Sequence, residues 1–232
     1  MRRLGCLGLV VVALLVLAWV VVRGTAERPL DLGERPGWAT GRALVALRGD
    51  FPRCRALLDR AGVTFETLPA RRDGPSCGYD DAVRFGAGGS RAVAFAPANL
   101  GTSCAVASAL AMWEWDVVQP AALRQFGRPV VRIEHFGSYN CRRIAGRDAQ
   151  FWSEHATADA VDIAAFVLDD GQRISIVNDW KGDDAESRFL RTVRTGACPL
   201  FATVLSPDYN AAHRDHFHLD QAKRNWGRRA CR

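Results

Sequence analysis

A continuous apolar run near the N-terminus, from Leu4 to Val22, most constrains what this chain can fold into. Arginines flank the run on both sides. About 18 or more consecutive apolar residues can cross a bilayer as one helix, whereas the apolar part of a cleavable signal peptide is usually shorter. We therefore expect residues 1–23 to form an uncleaved membrane anchor, although Gly24-Thr25-Ala26 is also acceptable as a cleavage site.

The arginines before the run place the N-terminus in the cytoplasm, so the rest of the chain should face the periplasm or the cell exterior. Cleavage would instead release it as a secreted protein. Residues 24–50 are rich in Gly, Pro and Arg and show little periodicity, which predicts a linker. Residues 51–232 are then long enough for one well-buried domain.

The formal net charge of +6 suits contact with an anionic envelope polymer or with a membrane surface. An ordinary soluble surface with an excess of arginine explains the charge equally well. Because the domain is expected to be exported, we do not expect a nucleic-acid partner.

Cysteine usage is a second indication of export. One of the 7 cysteines, Cys6, lies within the apolar run, so six remain for the domain. An even number at wide, irregular spacings, without a Cys-x-x-Cys pair, indicates three disulfides rather than a thiolate metal site. Spacing alone cannot choose among the many possible pairings. Our working pairing is Cys77–Cys104, Cys141–Cys198 and Cys54–Cys231.

Hydrophobic periodicity predicts a mixture of helices and strands. Residues 103–126 carry apolar side chains at helical spacing, and Pro120 should kink or end that helix. Residues 161–168 are a buried strand or a short helix. Further strands are expected at residues 130–136, 173–177, 201–205 and 216–219, and further helices at residues 51–62 and 179–194. This mixture predicts an α+β fold: a single disulfide-stapled domain with a small antiparallel sheet and flanking helices.

Histidines mark the region that carries chemistry, since all 5 lie between residues 135 and 218. Residues two apart in a strand face the same side, so His216 and His218 should project together while Phe217 faces the core. Seven residues separate His155 from Asp162. A carboxylate at the start of a buried run needs a partner or a metal, although a capping role for Asp162 would also satisfy it.

The residues His155, Asp162 and His218 together make a candidate metal site. Two histidines and one carboxylate, with one coordination position left open, are the usual ligands of a catalytic zinc ion. Because the ligands mix nitrogen and oxygen and no redox role is evident, we expect Zn²⁺ rather than copper or iron. We expect His135, which lies in a predicted strand, to be structural.

Two motifs resemble the zinc site shared by D-alanyl-D-alanine peptidases, murein endopeptidases and hedgehog-type proteins. The first motif is Ser-x-His-x-x-x-x-Ala-x-Asp, residues 153–162, in which Ala158 replaces a common glycine. The second is His-x-x-His-x-His, residues 213–218, which resembles the murein endopeptidase branch. The segment Gly137 to Arg142 further resembles the Ser-x-Tyr-Arg loop of that group, whose arginine contacts the substrate. The resemblance implies a hedgehog-like or D,D-peptidase-like fold.

From about Cys54 onward, the chain also resembles the bacterial extensin-like C-terminal domain family. The resemblance covers about three quarters of the chain. It is carried by residues 104–113, VVQPAALRQFG, FGSYNCR, SEHATADAVDIAAF and HRDHFHLD.

The peptidase resemblance implies a zinc metallopeptidase that hydrolyses peptidoglycan stem peptides or crosslinks. A general base would come from His213, His216 or Asp215, and we favour His213. Arg142 would bind a substrate carboxylate, unless it is an ordinary surface arginine. Ser153 is expected to hydrogen-bond near the metal or substrate rather than to act as a nucleophile. The alternatives are a non-catalytic zinc-containing envelope module and a metal-free domain in which the histidines form a hydrogen-bond network.

Overall fold

The computed structural model describes residues 11–20, 29–144, 150–224 and 228–232. Residues 11–20 are helical and form α1. Within these described ranges, no helix is both long enough and apolar enough to cross a membrane. Most of the predicted anchor, residues 1–23, and the whole candidate cleavage site lie outside the described residues, so the anchor stays a prediction. Residues 31–232 form a compact unit of their own.

In the described residues of this unit there are six further helices and twelve strands. The helices are α2 (Thr40–Val45), α3 (Phe51–Arg60), α4 (Cys104–Trp113), α5 (Gln119–Phe126), α6 (Ile176–Asp179) and α7 (Ala185–Ala197). The strands are β1 (Val63–Thr67), β2 (Arg71–Gly74), β3 (Cys77–Tyr79), β4 (Ala82–Gly89), β5 (Ala94–Ala96), β6 (Gly101–Ser103), β7 (Val130–Gly137), β8 (Ala160–Leu168), β9 (Arg173–Ser175), β10 (Thr203–Leu205), β11 (Phe217–Asp220) and β12 (Ala230–Cys231).

A seven-stranded sheet carries the candidate site. Its strand order is β12-β10-β11-β8-β7-β5, and β9 also pairs with β8. The β5–β7 and β10–β12 pairs are parallel, and the other pairs are antiparallel. A three-stranded antiparallel sheet (β1-β4-β6) and the β2–β3 hairpin complete the strands. The predicted α+β class with antiparallel sheets and flanking helices is confirmed.

The sequence predicts either a buried strand or a short helix at residues 161–168. The structure has a strand there, β8, at residues 160–168. Every residue of β8 except Asp162 is buried. The strand pairs with β11 on one side and with β7 on the other. Burial on both faces explains why the segment is apolar throughout instead of alternating.

Two predicted boundaries near residue 179 are wrong. Strand β9 ends at Ser175, and the next four residues form the short helix α6. The carboxylate of Asp179 accepts a hydrogen bond from the Ser175 backbone N–H at 2.7 Å, which stabilises the turn. Helix α7 begins at Ala185, since Asp184 caps it by accepting from the Ser187 N–H at 2.8 Å.

The helix predicted after Ser103 is confirmed, but Pro120 does not break it. Helix α4 continues through a π-helical turn, residues 114–118, into α5. Pro120 lies just after this π-helical turn, and helical backbone continues on both sides of it. Helix α4 is buried along its whole length, which makes it the centre of the core.

All six domain cysteines form disulfides as predicted, but the working pairing is wrong at every bond. The bonds are Cys54–Cys104, Cys77–Cys141 and Cys198–Cys231. Packing decides each pair. Helix α3 lies against α4, strand β3 lies near the turn before β8, and β12 adds to the sheet beside β10. None of these contacts is visible in the spacing of cysteines along the chain.

The segment predicted as a linker, residues 24–50, contains folded structure in its described part. Helix α2 lies within it, and Leu44 and Leu47 are buried. Arg48 forms ion pairs with Glu154 at 3.1 Å and with Asp159 at 2.8 Å. Glu154 belongs to the turn that carries His155 and Asp159 follows it, so the segment contacts the turn of the candidate site.

Candidate metal centre

Two adjacent strands and one turn bring the predicted ligands together. Strands β8 and β11 are antiparallel, and their register places His218 directly opposite Asp162. Phe217 is fully buried on the core side, as the alternation predicts. His155 lies in a 3₁₀ turn, residues 154–157, where the hydroxyl of Ser153 accepts a hydrogen bond from the His155 N–H at 3.3 Å.

Ala158 closes this turn with a left-handed backbone conformation, φ +57°. Glycine adopts this conformation without the steric cost that a Cβ imposes. The structure therefore explains why related motifs commonly carry glycine here. In this chain the alanine keeps the turn, and its carbonyl accepts hydrogen bonds from Ser103 N–H and from the Ser138 hydroxyl.

The three predicted ligand atoms converge. His155 Nε2 lies 3.2 Å from Asp162 Oδ1 and 3.1 Å from His218 Nδ1. His218 Nδ1 lies 3.0 Å from Asp162 Oδ1. Zinc bonds of about 2.0–2.1 Å in tetrahedral geometry would place ligand atoms roughly 3.3 Å apart. The three atoms are therefore spaced as three corners of a zinc tetrahedron, and these residues fit the ion that the motif implies.

Hydrogen bonds on the far side of each ring fix which nitrogens can bind a cation. His155 Nδ1 lies 2.5 Å from the carbonyl oxygen of Ser138, so Nδ1 carries the proton and Nε2 presents its lone pair. His218 Nε2 lies 3.1 Å from Asp220 Oδ2 and donates to it. The inward-facing atoms are then acceptors that need a shared cation or proton.

The charges at this site favour an anionic Asp162. Burial raises the pKa of Asp162, but hydrogen bonds from His155 and His218 outweigh burial and hold it well below its usual range. Burial lowers the pKa of His218, and bonding to Asp162 and Asp220 overcomes this and raises it to about 9. Without a metal, a second proton on His218 would therefore take the place of the cation.

The other two histidines of the HRDHFH segment lie beside the three ligands. His216 Nε2 is 3.5 Å from Asp162 Oδ1, and His216 Nδ1 is 2.9 Å from Asp215 Oδ1. Asp215 thus contacts His216 directly and orients its ring. The His213 ring centre lies 5.2 Å from that of His216 and 5.9 Å from that of His218.

His213 has a hydrogen-bond arrangement that leaves one ring nitrogen free. Its Nδ1 lies 2.7 Å from Asn210 Oδ1, an oxygen that also accepts from the Ala212 N–H. Nδ1 is therefore the donor, and Nε2 presents the lone pair. Burial first, and then the neighbouring His218 and His216, lower the pKa of His213 to about 4. The neutral ring carries its lone pair on Nε2, as a general base must, but a pKa this low also makes it a weak base at neutral pH.

Arg142 is exposed and lies close enough to His213 for its charge to lower the pKa of that ring. The Cys77–Cys141 disulfide holds the adjacent residue, and the Arg142 carbonyl accepts from the Ser153 N–H at 3.1 Å. A substrate contact of Arg142 stays a prediction. The Ser153 hydroxyl caps the His155 turn, and its predicted role in substrate binding also remains a prediction.

Sequence reasoning missed Asp220 and two exposed aromatic residues beside the histidines. The sequence could have indicated Asp220, because it follows His218 by two residues and therefore lies on the same face of β11. Phe136 lies edge-on to His216, with ring centres 5.8 Å apart, and Tyr209 packs in the same way on His213 at 5.5 Å. Nothing in the sequence separates these two from other surface aromatics.

Comparison with known proteins supports one of the two resemblances. The family model described as "Extensin-like protein C-terminus" matches residues 52–232. No curated protein and no solved structure matches the chain. The family match covers the compact unit from α3 to the last strand, including every residue of the metal centre. The chain therefore belongs to the extensin-like protein C-terminus family.

Proposed function

We propose that this protein is a zinc-dependent peptidase that acts on peptidoglycan stem peptides or their crosslinks. The observation that carries the proposal is the convergence of His155 Nε2, Asp162 Oδ1 and His218 Nδ1 within 3.0–3.2 Å of one another. The motif resemblance to murein endopeptidases and D-alanyl-D-alanine peptidases supplies the substrate class.

Zinc held by these three side chains would supply Lewis acidity, which polarises a scissile carbonyl and makes water more acidic. His213 would take up the proton at Nε2, since its Nδ1 is occupied by Asn210. Asp215 fixes the ring of His216, whose Nε2 faces Asp162. Arg142, beside His213, would bind the free carboxylate of a stem peptide through two parallel hydrogen bonds.

The cellular setting is part of the same proposal. We propose that residues 1–23 anchor the protein in the cytoplasmic membrane, with the compact unit in the periplasm or outside the cell. Three disulfides support an oxidising compartment. The excess of positive charge suits an anionic envelope polymer.

A non-catalytic site is the second candidate, and one observation favours it. His218 bridges Asp162 and Asp220, and the pKa of about 9 lets it do so as an imidazolium without any metal. A domain of this kind would bind the envelope or support its structure. Metal content and activity separate the candidates.

Metal content is measured on the full-length protein, purified in a non-ionic detergent and dialysed against buffer with micromolar zinc. We expect one zinc per chain in the wild type and none in His155→Ala. His213→Ala is the matched control, because it removes a neighbouring ring that is not a ligand, and it should retain zinc. A wild type without zinc would contradict the metal centre.

Activity is measured by digesting purified peptidoglycan and separating the released fragments. The zinc-loaded wild type should shorten stem peptides or open crosslinks, and zinc-loaded His213→Ala should be slower by about 100- to 10,000-fold. If the zinc-loaded wild type changes no fragment from several crosslink chemistries, the enzyme proposal is wrong and the binding module is favoured.

A further inference from the structure

Two exposed aromatic rings contact the pair of histidines beside the metal centre. Phe136 lies edge-on to His216, with ring centres 5.8 Å apart, and Tyr209 lies edge-on to His213 at 5.5 Å. The ring centres of the two histidines are 5.2 Å apart. The four rings therefore form one continuous group next to the candidate zinc ligands, and the two aromatic side chains are its outer members.

The outer rings of this group are open to solvent, whereas the histidine between Phe136 and the metal centre is mostly covered. Phe136 is 62% exposed and Tyr209 is 42% exposed, but only 12% of the His216 side chain is exposed. A single exposed aromatic side chain is common on protein surfaces, so its exposure alone indicates no site. The backbone that carries Phe136 supplies a second, independent observation.

Strand β7 is bulged at Phe136. The adjacent β8 residues 162 and 163 pair with β7 residues 137 and 135, so Phe136 is an extra residue between the two pairs. A bulge re-aims the side chain that it carries, and bulges are frequent beside active sites. This bulge lies directly opposite a candidate zinc ligand, residue 162, and the side chain it carries is the one that reaches the histidine pair.

Tyr209 approaches the histidines from another part of the fold, the turn after β10. Its N–H donates to the carbonyl of Ser206 at 2.9 Å, which fixes the backbone of the turn. The next residue, Asn210, lies 2.7 Å from Nδ1 of His213 through its side-chain oxygen. One short segment therefore positions both the Tyr209 ring and the His213 ring.

The group of four rings combines apolar and polar surface within a few ångströms. The outer rings are largely apolar, whereas the histidines carry polar nitrogens, and His216 Nε2 lies 3.5 Å from Oδ1 of Asp162. A peptide unit with a small apolar side chain has the same combination, since its amide makes polar contacts and its side chain gains from leaving water. A strongly polar side chain would lose hydration against the rings without a hydrogen bond in return.

We propose that Phe136 and Tyr209 are substrate-binding residues that select small apolar side chains, such as those of alanine, next to the amide at the metal centre. This inference rests on the peptidase function proposed above. The amide lies against the histidines, and the neighbouring methyl groups contact the aromatic rings. Each methyl group that leaves water in this way strengthens binding by about fourfold.

The test is calorimetric titration of the full-length, zinc-loaded protein in a non-ionic detergent with two stem-peptide analogues. The first ends in two D-alanine units joined by a ketomethylene group, –CO–CH₂–, in place of the amide, so that it cannot be hydrolysed. In the second, hydroxymethyl groups replace both methyl groups, as in serine. We expect the wild type to bind the alanine analogue about tenfold more tightly than the serine analogue.

The double variant Phe136→Ala/Tyr209→Ala should bind the alanine analogue about tenfold more weakly and prefer it less than about twofold. Phe136→Leu keeps an apolar side chain and should retain most of the preference. The matched control is Val131→Ala, which removes an exposed apolar side chain from the other end of β7 and should bind as the wild type does. A wild-type preference in the double variant overturns the proposal.

Zinc content and the thermal unfolding midpoint are measured in every variant and should equal those of the wild type, because both rings are exposed and neither binds the metal. A wild type that prefers the alanine analogue but cleaves no peptidoglycan would refute the peptidase and leave this inference standing. A wild type that cleaves peptidoglycan but binds both analogues equally would refute this inference alone. Absence of binding by the wild type at millimolar concentration also overturns it.

Discussion

Asp220 holds the ring of His218 in the orientation that the metal centre requires. Its Oδ2 accepts a hydrogen bond from His218 Nε2 at 3.1 Å, and its Oδ1 accepts from the Ala222 N–H at 2.9 Å. Asp220 is 3% exposed, so water cannot replace either bond. The ring is thereby turned so that Nδ1 faces Asp162. Partners of this kind fix the tautomer of a metal-binding histidine and raise its basicity.

Asp220→Asn should weaken zinc binding by about 10- to 100-fold. An asparagine has one oxygen where the carboxylate uses two, so either the His218 bond or the Ala222 bond is lost. The affinity is measured by competition with a chelator. Asp183→Asn, at an exposed position, is the control and should bind zinc normally. Wild-type affinity in Asp220→Asn would show that the ring is held in place without this carboxylate.

The sequence predicts the local parts of the metal centre well. Alternation along HFHL correctly places His216 and His218 on one face and Phe217 in the core. Apolar periodicity also predicts α4, because it depends on neighbours within a few residues.

Contacts between distant segments cannot be predicted in this way. The register that sets His218 opposite Asp162 depends on how β8 and β11 pack, and the two residues are 56 positions apart along the chain. The disulfide pairs fail for the same reason. Cys54 meets Cys104 because α3 packs on α4, which no property of either segment specifies alone.

Arg142→Gln should raise KM for a stem peptide with a free carboxylate by about 10- to 100-fold, with a small effect on kcat. The reason is the loss of a charged hydrogen-bonded pair worth about 1.5–3 kcal/mol. Steady-state kinetics on a purified stem peptide measure both constants.

The neighbouring Arg143 is the matched control for this prediction. It packs over the ring of Trp152 at 4.6 Å and donates to the carbonyl of Gln150, so its guanidinium is already engaged. Arg143→Gln should leave KM unchanged. If both variants raise KM equally, the effect comes from the loop as a whole and not from a carboxylate bound by Arg142.

Asp81 should make the protein less stable as the pH rises from 4 to 7. Burial, and then the charges of Asp159 and Asp80, raise the pKa of Asp81 from 3.8 to about 6. A carboxyl with a raised folded-state pKa contributes most to the stability of the fold at pH values below its unfolded-state pKa. This contribution is lost as the pH rises through the folded-state pKa. At about 1.36 kcal/mol per unit, the loss is at most about 3 kcal/mol.

Asp81→Asn should remove this loss and raise the free energy of unfolding at pH 7 more than at pH 4. Guanidinium unfolding at both pH values, with the disulfides intact, measures the difference. Asp170→Asn, at an exposed turn, should change neither value. A variant whose stability follows the wild-type pH profile would mean that Asp81 titrates normally.

The most deeply buried ion pair of the described residues should be strongly coupled. Arg91 Nε lies 2.8 Å from Glu114 Oε2, with 4% and 2% of the side chains exposed. The other oxygen of Glu114 accepts from the N–H groups of Ala92 and Val93. The Arg91 guanidinium lies over Phe85, 3.9 Å from the ring centre. Arg91→Met leaves a buried carboxylate unpaired and should cost about 3–5 kcal/mol.

The double variant Arg91→Met/Glu114→Gln should be more stable than Arg91→Met alone, because the charge that lacked a partner is gone. The cycle of both single variants and the double variant should show a coupling of about 1–3 kcal/mol by guanidinium unfolding. The exposed pair Arg72–Asp80, at 3.2 Å, is the control, and Arg72→Met should change stability by less than about 0.5 kcal/mol. Additive single effects at Arg91 and Glu114 would mean that the backbone N–H groups alone stabilise the buried carboxylate.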